Sequence, residues 1–134
     1  MKEIDELILP DDLRYTEDHE WAKPQGNGFR IGITDFAQDQ LGDIVFVELP
    51  RAGDTLPAKQ QFGTVESVKT VAELYMPLSG EILAVNELLE ASPELVNSDP
   101  YEKGWMVEIK PEKPAEFESL LRKSGYLEMV RGKK

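Results

Sequence analysis

The sequence predicts a mostly β (α+β) fold: a two-halved β-sandwich with short flanking helices and a C-terminal helical tail. Three observations point to it. Short runs of alternating or β-branched residues are punctuated by glycine and proline along most of the chain. The stretch Phe62 to Pro77 reads as two strands joined by a tight turn and bracketed by Gly63 and Pro77. Finally, Pro50-Arg51-Ala52-Gly53-Asp54-Thr55-Leu56 is echoed 27 residues later by Pro77-Leu78-Ser79-Gly80-Glu81-Ile82-Leu83, with proline, glycine, an acid and leucine at equal offsets. Two copies are too few for a solenoid, but they suit equivalent turns leading into equivalent strands of a sandwich.

Composition narrows the function classes. A length of 134 residues with 40% hydrophobic content suits one domain with its own core. We expect that domain over residues 1–134, with a β core at about 13–110 and C-terminal helices at about 114–130. The net charge of −11 argues against nucleic acid or an anionic membrane as the main partner. There is no cysteine, hence no disulfide framework and no thiolate catalysis, and the single histidine, His19, excludes catalytic triads and multi-histidine metal sites. The acidic N-terminus lacks the basic start and apolar centre of a signal peptide. The expected location is the cytoplasm, or an organelle matrix if a presequence was removed.

In chain order, residues 1 to 12 read as a loosely held lead-in, with Ile4, Leu7, Ile8 and Leu9 able to pack. Trp21 is expected in the core, and Glu20 on pattern alone is a strand-end charge. Gln25-Gly26-Asn27-Gly28 is a turn, and Phe29 to Ile33 alternates as a half-buried strand. Thr34 is placed to cap a helix over Asp35 to Leu41 that buries Phe36, Ala37 and Leu41, with Gly42 just beyond its end. Ile44 to Leu49 is almost continuously apolar and should be a buried strand.

The central hairpin follows. With Lys69 and Thr70 at its tip, Val65, Ser67, Ala72 and Leu74 share the core face, and Glu66 stands opposite Glu73 on the other. Two features sit badly with a purely structural hairpin. A two-residue loop prefers Asn-Gly or another glycine pair, and like charges directly opposite are destabilising. A lysine on a tight turn between acids suggests a side chain meant to be reached by other proteins. On pattern alone an ordinary surface lysine is the preferred reading.

Beyond the hairpin, Asn86 can cap a short helix through Leu89, and Ser92-Pro93-Glu94 looks like another helix start. Leu95 to Tyr101 reads as loop. Trp105 to Ile109 should be a strand burying Trp105, Val107 and Ile109. In the tail, Phe117, Leu120 and Leu121 lie at helical spacing, Gly125 should end that helix, and Tyr126, Met129 and Val130 form a last short one.

Gly63-Thr64-Val65-Glu66-Ser67-Val68-Lys69, followed by Pro77-Leu78-Ser79-Gly80-Glu81-Ile82, resembles the lipoyl-attachment segment of glycine cleavage system H proteins. Tyr15-Thr16 followed by His19-Glu20-Trp21 is similar to the same family's N-terminal signature, and the likeness runs from about Tyr15 to Tyr126. Related biotin carriers present Met-Lys-Met at the tip, whereas Val68 and Thr70 flank the lysine here. The resemblance implies a lipoyl-domain-like barrel-sandwich hybrid that is a cofactor carrier, not an enzyme, with no catalytic residues and no metal. Lys69 would carry lipoic acid covalently, and Glu66 would help the lipoylating enzyme recognise the hairpin. The arm would shuttle the aminomethyl group of glycine from a pyridoxal-phosphate-dependent glycine decarboxylase to a tetrahydrofolate-dependent aminomethyltransferase. Dihydrolipoamide dehydrogenase would then reoxidise it. Carried over by position, Asp18, Glu20 and Glu73 would line the cleft that shelters the loaded arm; Asp18 and Glu73 depart from the usual residues but keep an acidic character. Two other readings use the same fold: a relay donating lipoate to 2-oxo acid dehydrogenase complexes, and a non-lipoylated binding module.

Overall fold

A computed structural model describes residues 2–132. Met1, the first residue of the expected lead-in, and Lys133 and Lys134 at the chain end lie outside the described residues. Among the described residues, nine strands form two antiparallel sheets. They are β1 (Arg14–Tyr15), β2 (Glu20–Gln25), β3 (Gly28–Ile33), β4 (Ile44–Glu48), β5 (Thr55–Leu56), β6 (Gln61–Ser67), β7 (Val71–Tyr75), β8 (Gly80–Val85) and β9 (Val107–Pro111). The larger sheet runs β1-β2-β3-β9-β8-β5 and the smaller β4-β6-β7. Ile31, Ile33, Val47, Val65, Leu74, Ile82 and Ile109 are among the side chains that close the core between them. The two echoing segments pair with each other, Thr55 opposite Glu81 and Leu56 opposite Gly80, as equivalent turns of a two-halved sandwich should.

The helices are α1 (Asp35–Leu41), α2 (Leu88–Ala91), α3 (Leu95–Ser98) and α4 (Lys123–Gly132). None among the described residues is long and apolar enough to cross a membrane. Thr34 caps α1 as expected, its hydroxyl accepting from the Ala37 N–H at 3.1 Å. Asp35 ties the N-terminal lead-in to this helix. Its carboxylate accepts from the Lys2 ammonium at 2.8 Å and the Ile8 N–H at 2.9 Å. Burial penalises that charge, but these bonds and the Gln38 amide outweigh burial and hold the Asp35 carboxyl below its ordinary range. The lead-in packs Leu9 and Leu13 against Tyr15, Trp21, Phe36, Tyr126 and Val130, a second core under α4.

Five expectations are corrected. The hairpin register lies two residues away from the expected one: Glu66 faces Val71, Val65 faces Ala72, and Glu73 faces Thr64. No acid stands opposite another in this pair. A slip of two leaves every side chain on its expected face, so Val65, Ser67 and Leu74 are still buried. Only Ile44 and Val47 of the apolar run in β4 are buried, because a register shift between Ile44 and Phe46 turns Val45 and Phe46 outward. Leu95 to Ser98 forms a single helical turn where loop was expected. Trp105 precedes β9 and is half-buried, with the Arg30 guanidinium 4.6 Å from its ring centroid. In the tail, Pro114–Ser119 is a 3-10 helix, and Leu121 leaves it to exchange two backbone hydrogen bonds with Tyr15 at 2.8 and 2.9 Å. That bridge splits the expected helix, so Gly125 falls inside the first turns of α4 instead of ending its predecessor.

Gly63 in β6 marks a close backbone approach. A Cβ there would collide with the Glu48 carbonyl oxygen of β4. Gly63→Ala is expected to destabilise the fold by about 1–3 kcal/mol. This should read as a lower urea midpoint at unchanged slope; an unchanged midpoint would refute the close approach.

Candidate functional site

Lys69 sits at the tip of the β6–β7 hairpin, in the turn Ser67-Val68-Lys69-Thr70, with its side chain exposed. Ser67 explains how this turn dispenses with Asn-Gly. The Ser67 N–H donates to the Thr70 carbonyl at 2.8 Å, and the Ser67 Oγ accepts from the N–H groups of Lys69 and Thr70 at 3.3 and 3.2 Å. A side-chain oxygen thus satisfies donors that a short loop would leave unpaired. The turn is also pinned to the end of α1, where the Val68 N–H donates to the Asp43 carbonyl at 3.0 Å. The Lys69 stem passes Gly42, on which an added Cβ would lie 3.7 Å from the Lys69 Cε. The Lys69 backbone is therefore held while its end is free to be reached.

Beside this turn lies a cavity of about 350 Å³ between α1 and β7. Its wall is apolar, formed by Ile33, Phe36, Ala37, Leu41, Ala72 and Leu74, and Asp18, His19, Gln40 and Glu73 add polar groups. Leu41 is next to the Gly42 that the Lys69 stem passes, so the lysine springs from the cavity's edge. The structure brings Asp18 and Glu73 together there. Glu66 lies elsewhere, exposed on the outer face of the hairpin in a cross-strand row with Phe46 and Val71.

Glu20 does not line the cavity. It is buried behind it, at 1% exposure. The reason is the sheet edge. Among the described residues β7 has no strand on its second side, and the Tyr75 N–H that points there donates to Glu20 Oε2 at 3.1 Å. Thr16 donates to Glu20 Oε1 at 2.8 Å, and its hydroxyl accepts from the N–H groups of Asp18 and Glu20. Burial pushes the Glu20 carboxyl up to about 8; the hydrogen bonds from Tyr75 and Thr16 oppose the shift, Asp18 adds to it and Lys59 opposes it. Neither a solvated strand-end charge nor a cavity contact describes this residue.

Sequence reasoning assigned no site role to His19, noted only within the N-terminal signature, or to Tyr75. His19 adopts a left-handed φ of 69°, its Nδ1 lies 2.8 Å from the Tyr126 hydroxyl, and that hydroxyl is 2.8 Å from Thr34 Oγ1. The network ties the cavity wall to α4 and the α1 cap. A lone histidine in a turn gives little signal of this, because its partners lie 15 and 107 residues away. Tyr75 donates from its hydroxyl to Glu73 Oε2 at 2.6 Å; only its alternation with Glu73 along one strand was visible beforehand. Among the described residues, no group of three or more histidines or carboxylates is placed to hold a metal.

The donor set and shape fit a lipoyl arm: an exposed amine for an amide bond, an apolar wall for methylenes and a dithiolane ring, and two carboxylates for a cation at its end. Comparison with known proteins agrees. A model of the family "Glycine cleavage H-protein" matches residues 13–133. The glycine cleavage system H protein of Bacillus licheniformis is 56% identical over 125 residues, covering 93% of this chain and 98% of the relative. That of Bacillus cytotoxicus is 58% identical over 124 residues, covering 92% and 98%. The crystal structure of a glycine cleavage system H protein from Mycobacterium marinum superposes with a TM-score of 0.83 at 39% identity, covering 92% of this chain and 99% of that one.

Proposed function

The chain belongs to the glycine cleavage H-protein family, and we propose from that premise that Lys69 is its lipoylated residue and that Asp18 and Glu73 hold the cationic end of the cargo. As an H protein it is a non-catalytic carrier for the glycine cleavage system. Its partners are glycine decarboxylase, the aminomethyltransferase and dihydrolipoamide dehydrogenase, together with the enzyme that attaches lipoate. The lipoyl group supplies the disulfide that takes up the aminomethyl group of glycine and the dithiol that is later reoxidised.

The protein's own part is position and shelter. The observation that carries this reading is an exposed lysine on a side-chain-tied turn at the edge of a cavity that bears two carboxylates. A rigid turn sweeps its arm through a restricted volume, which raises local concentration at each partner. The apolar wall excludes water from the cargo. Asp18 and Glu73 gain a charge-assisted partner only when an ammonium is present, so they favour docking of the loaded arm over the empty one.

In the presence of the lipoylating enzyme, peptide mass spectrometry should place lipoate on Lys69 alone; lipoate on another lysine overturns the assignment. Glu66, exposed between Phe46 and Val71, is proposed as a recognition contact for that enzyme. Glu66→Lys should lower the lipoylation rate about tenfold, as a lost contact of ~1.4 kcal/mol would. Stability should move by only about 0.5 kcal/mol, as for most surface changes. An unchanged rate removes Glu66 from the recognised surface.

A further inference from the structure

We propose that Tyr75 is a positioning residue for the cargo: its hydroxyl fixes the Glu73 carboxylate at the cavity, at a set spacing from Asp18. The inference rests on the reading of Asp18 and Glu73 as the contacts of the cationic group. A glutamate on an exposed edge strand has three rotatable side-chain bonds and would otherwise sample many orientations. Glu73 and Tyr75 alternate on β7 and so stand side by side on one face. The Tyr75 hydroxyl occupies Glu73 Oε2 at 2.6 Å, which leaves Oε1 for a donor from the cavity.

Tyr75 is itself fixed from behind by the buried hub. Its N–H donates to Glu20, Glu20 accepts from Thr16, and Thr16 Oγ1 receives the Asp18 N–H at 3.2 Å. Hydrogen bonds therefore link the Asp18 backbone to the Tyr75 backbone through Thr16 and Glu20, and the Tyr75 side chain reaches on to Glu73. They tie the turn before β2 to the edge of β7. Pre-ordering the Glu73 carboxylate, beside a fixed Asp18 backbone, spares part of the ordering cost when the ammonium arrives.

The first test uses the protein without lipoate. Tyr75 is half-buried, and its phenol is held above the ordinary value first by the hydrogen bond to Glu73. Burial first of all raises Tyr15, Tyr101 and Tyr126 much further. Tyr75 should therefore be the first to ionise in a phenolate absorbance titration. Glu73→Gln should bring that first ionisation down, and Tyr75→Phe should remove it. No shift in Glu73→Gln means the bond is not made in solution, and overturns the proposal.

The second test follows spontaneous loss of the aminomethyl group from the loaded, lipoylated protein. Glu73→Gln should speed the loss about tenfold and Tyr75→Phe about threefold, while the double variant should match Glu73→Gln alone, because Tyr75 acts only through Glu73. Additive effects, or a wild-type rate in Tyr75→Phe beside a faster Glu73→Gln, overturn the role of Tyr75 alone. A wild-type rate in Glu73→Gln sinks the cavity reading itself, and the Tyr75 proposal with it.

Discussion

Lys69→Arg is expected to yield a folded protein that takes up no lipoate and supports no glycine-dependent carbon dioxide exchange, a loss of more than about 100-fold. Amide formation needs a neutral amine with a free lone pair. An ammonium reaches that state by losing one proton, whereas a guanidinium delocalises its nitrogen electrons and stays charged. Arginine keeps the charge and the long stem, and the turn is held by Ser67 and Asp43, not by the lysine head. Stability should therefore stay within about 0.5 kcal/mol of wild type. Intact mass and a thermal melt on one preparation check both halves. Lipoate incorporated into the arginine variant at the wild-type level would place the attachment elsewhere.

The second large effect is on the pH dependence of stability. The Glu20 carboxyl ionises at about 8 in the folded protein against 4.5 as its reference value. Between those values the folded state holds a proton that the unfolded state has released. Stability must then fall as pH rises through that window, by up to ~1.4 kcal/mol per unit and a few kcal/mol in all. Glu20→Gln keeps the size and an acceptor for the Tyr75 N–H but cannot ionise. Its stability should be nearly flat in this window as far as this site contributes, and at pH 9 it should exceed that of wild type. Asp35 works in the opposite sense and at lower pH, since its carboxyl is held down and its contribution is lost only as pH falls below the ordinary aspartate range. Urea unfolding at pH 5, 7 and 9 separates the two. Parallel curves for wild type and Glu20→Gln would show that the buried carboxyl does not titrate as its surroundings require.

Much of this protein was legible in the sequence wherever neighbours along the chain decide the outcome. Thr34 followed by Asp35 and an apolar stripe specifies α1, because capping and helical periodicity act within one or two turns. Alternation assigned Val65, Ser67 and Leu74 to the core, and that survived a register slip of two because the period of a strand is two. The hairpin, its lysine and its motif glycine were visible for the same reason. Tertiary structure alone decided the rest. The register depended on Ser67 closing the turn and on Asp43 receiving the Val68 N–H. The β4 shift that exposes Phe46 depended on its partner β6, and the broken tail helix on Tyr15, more than a hundred residues upstream of Leu121. Glu20 is the clearest case. Its neighbours in sequence mark a strand-end charge, yet the unpaired edge of β7 draws it inward as the acceptor for Tyr75, so the cavity's acids are Asp18 and Glu73. Which backbone groups a sheet leaves without partners is set by strands distant in sequence, and a buried polar side chain goes where such a group must be satisfied.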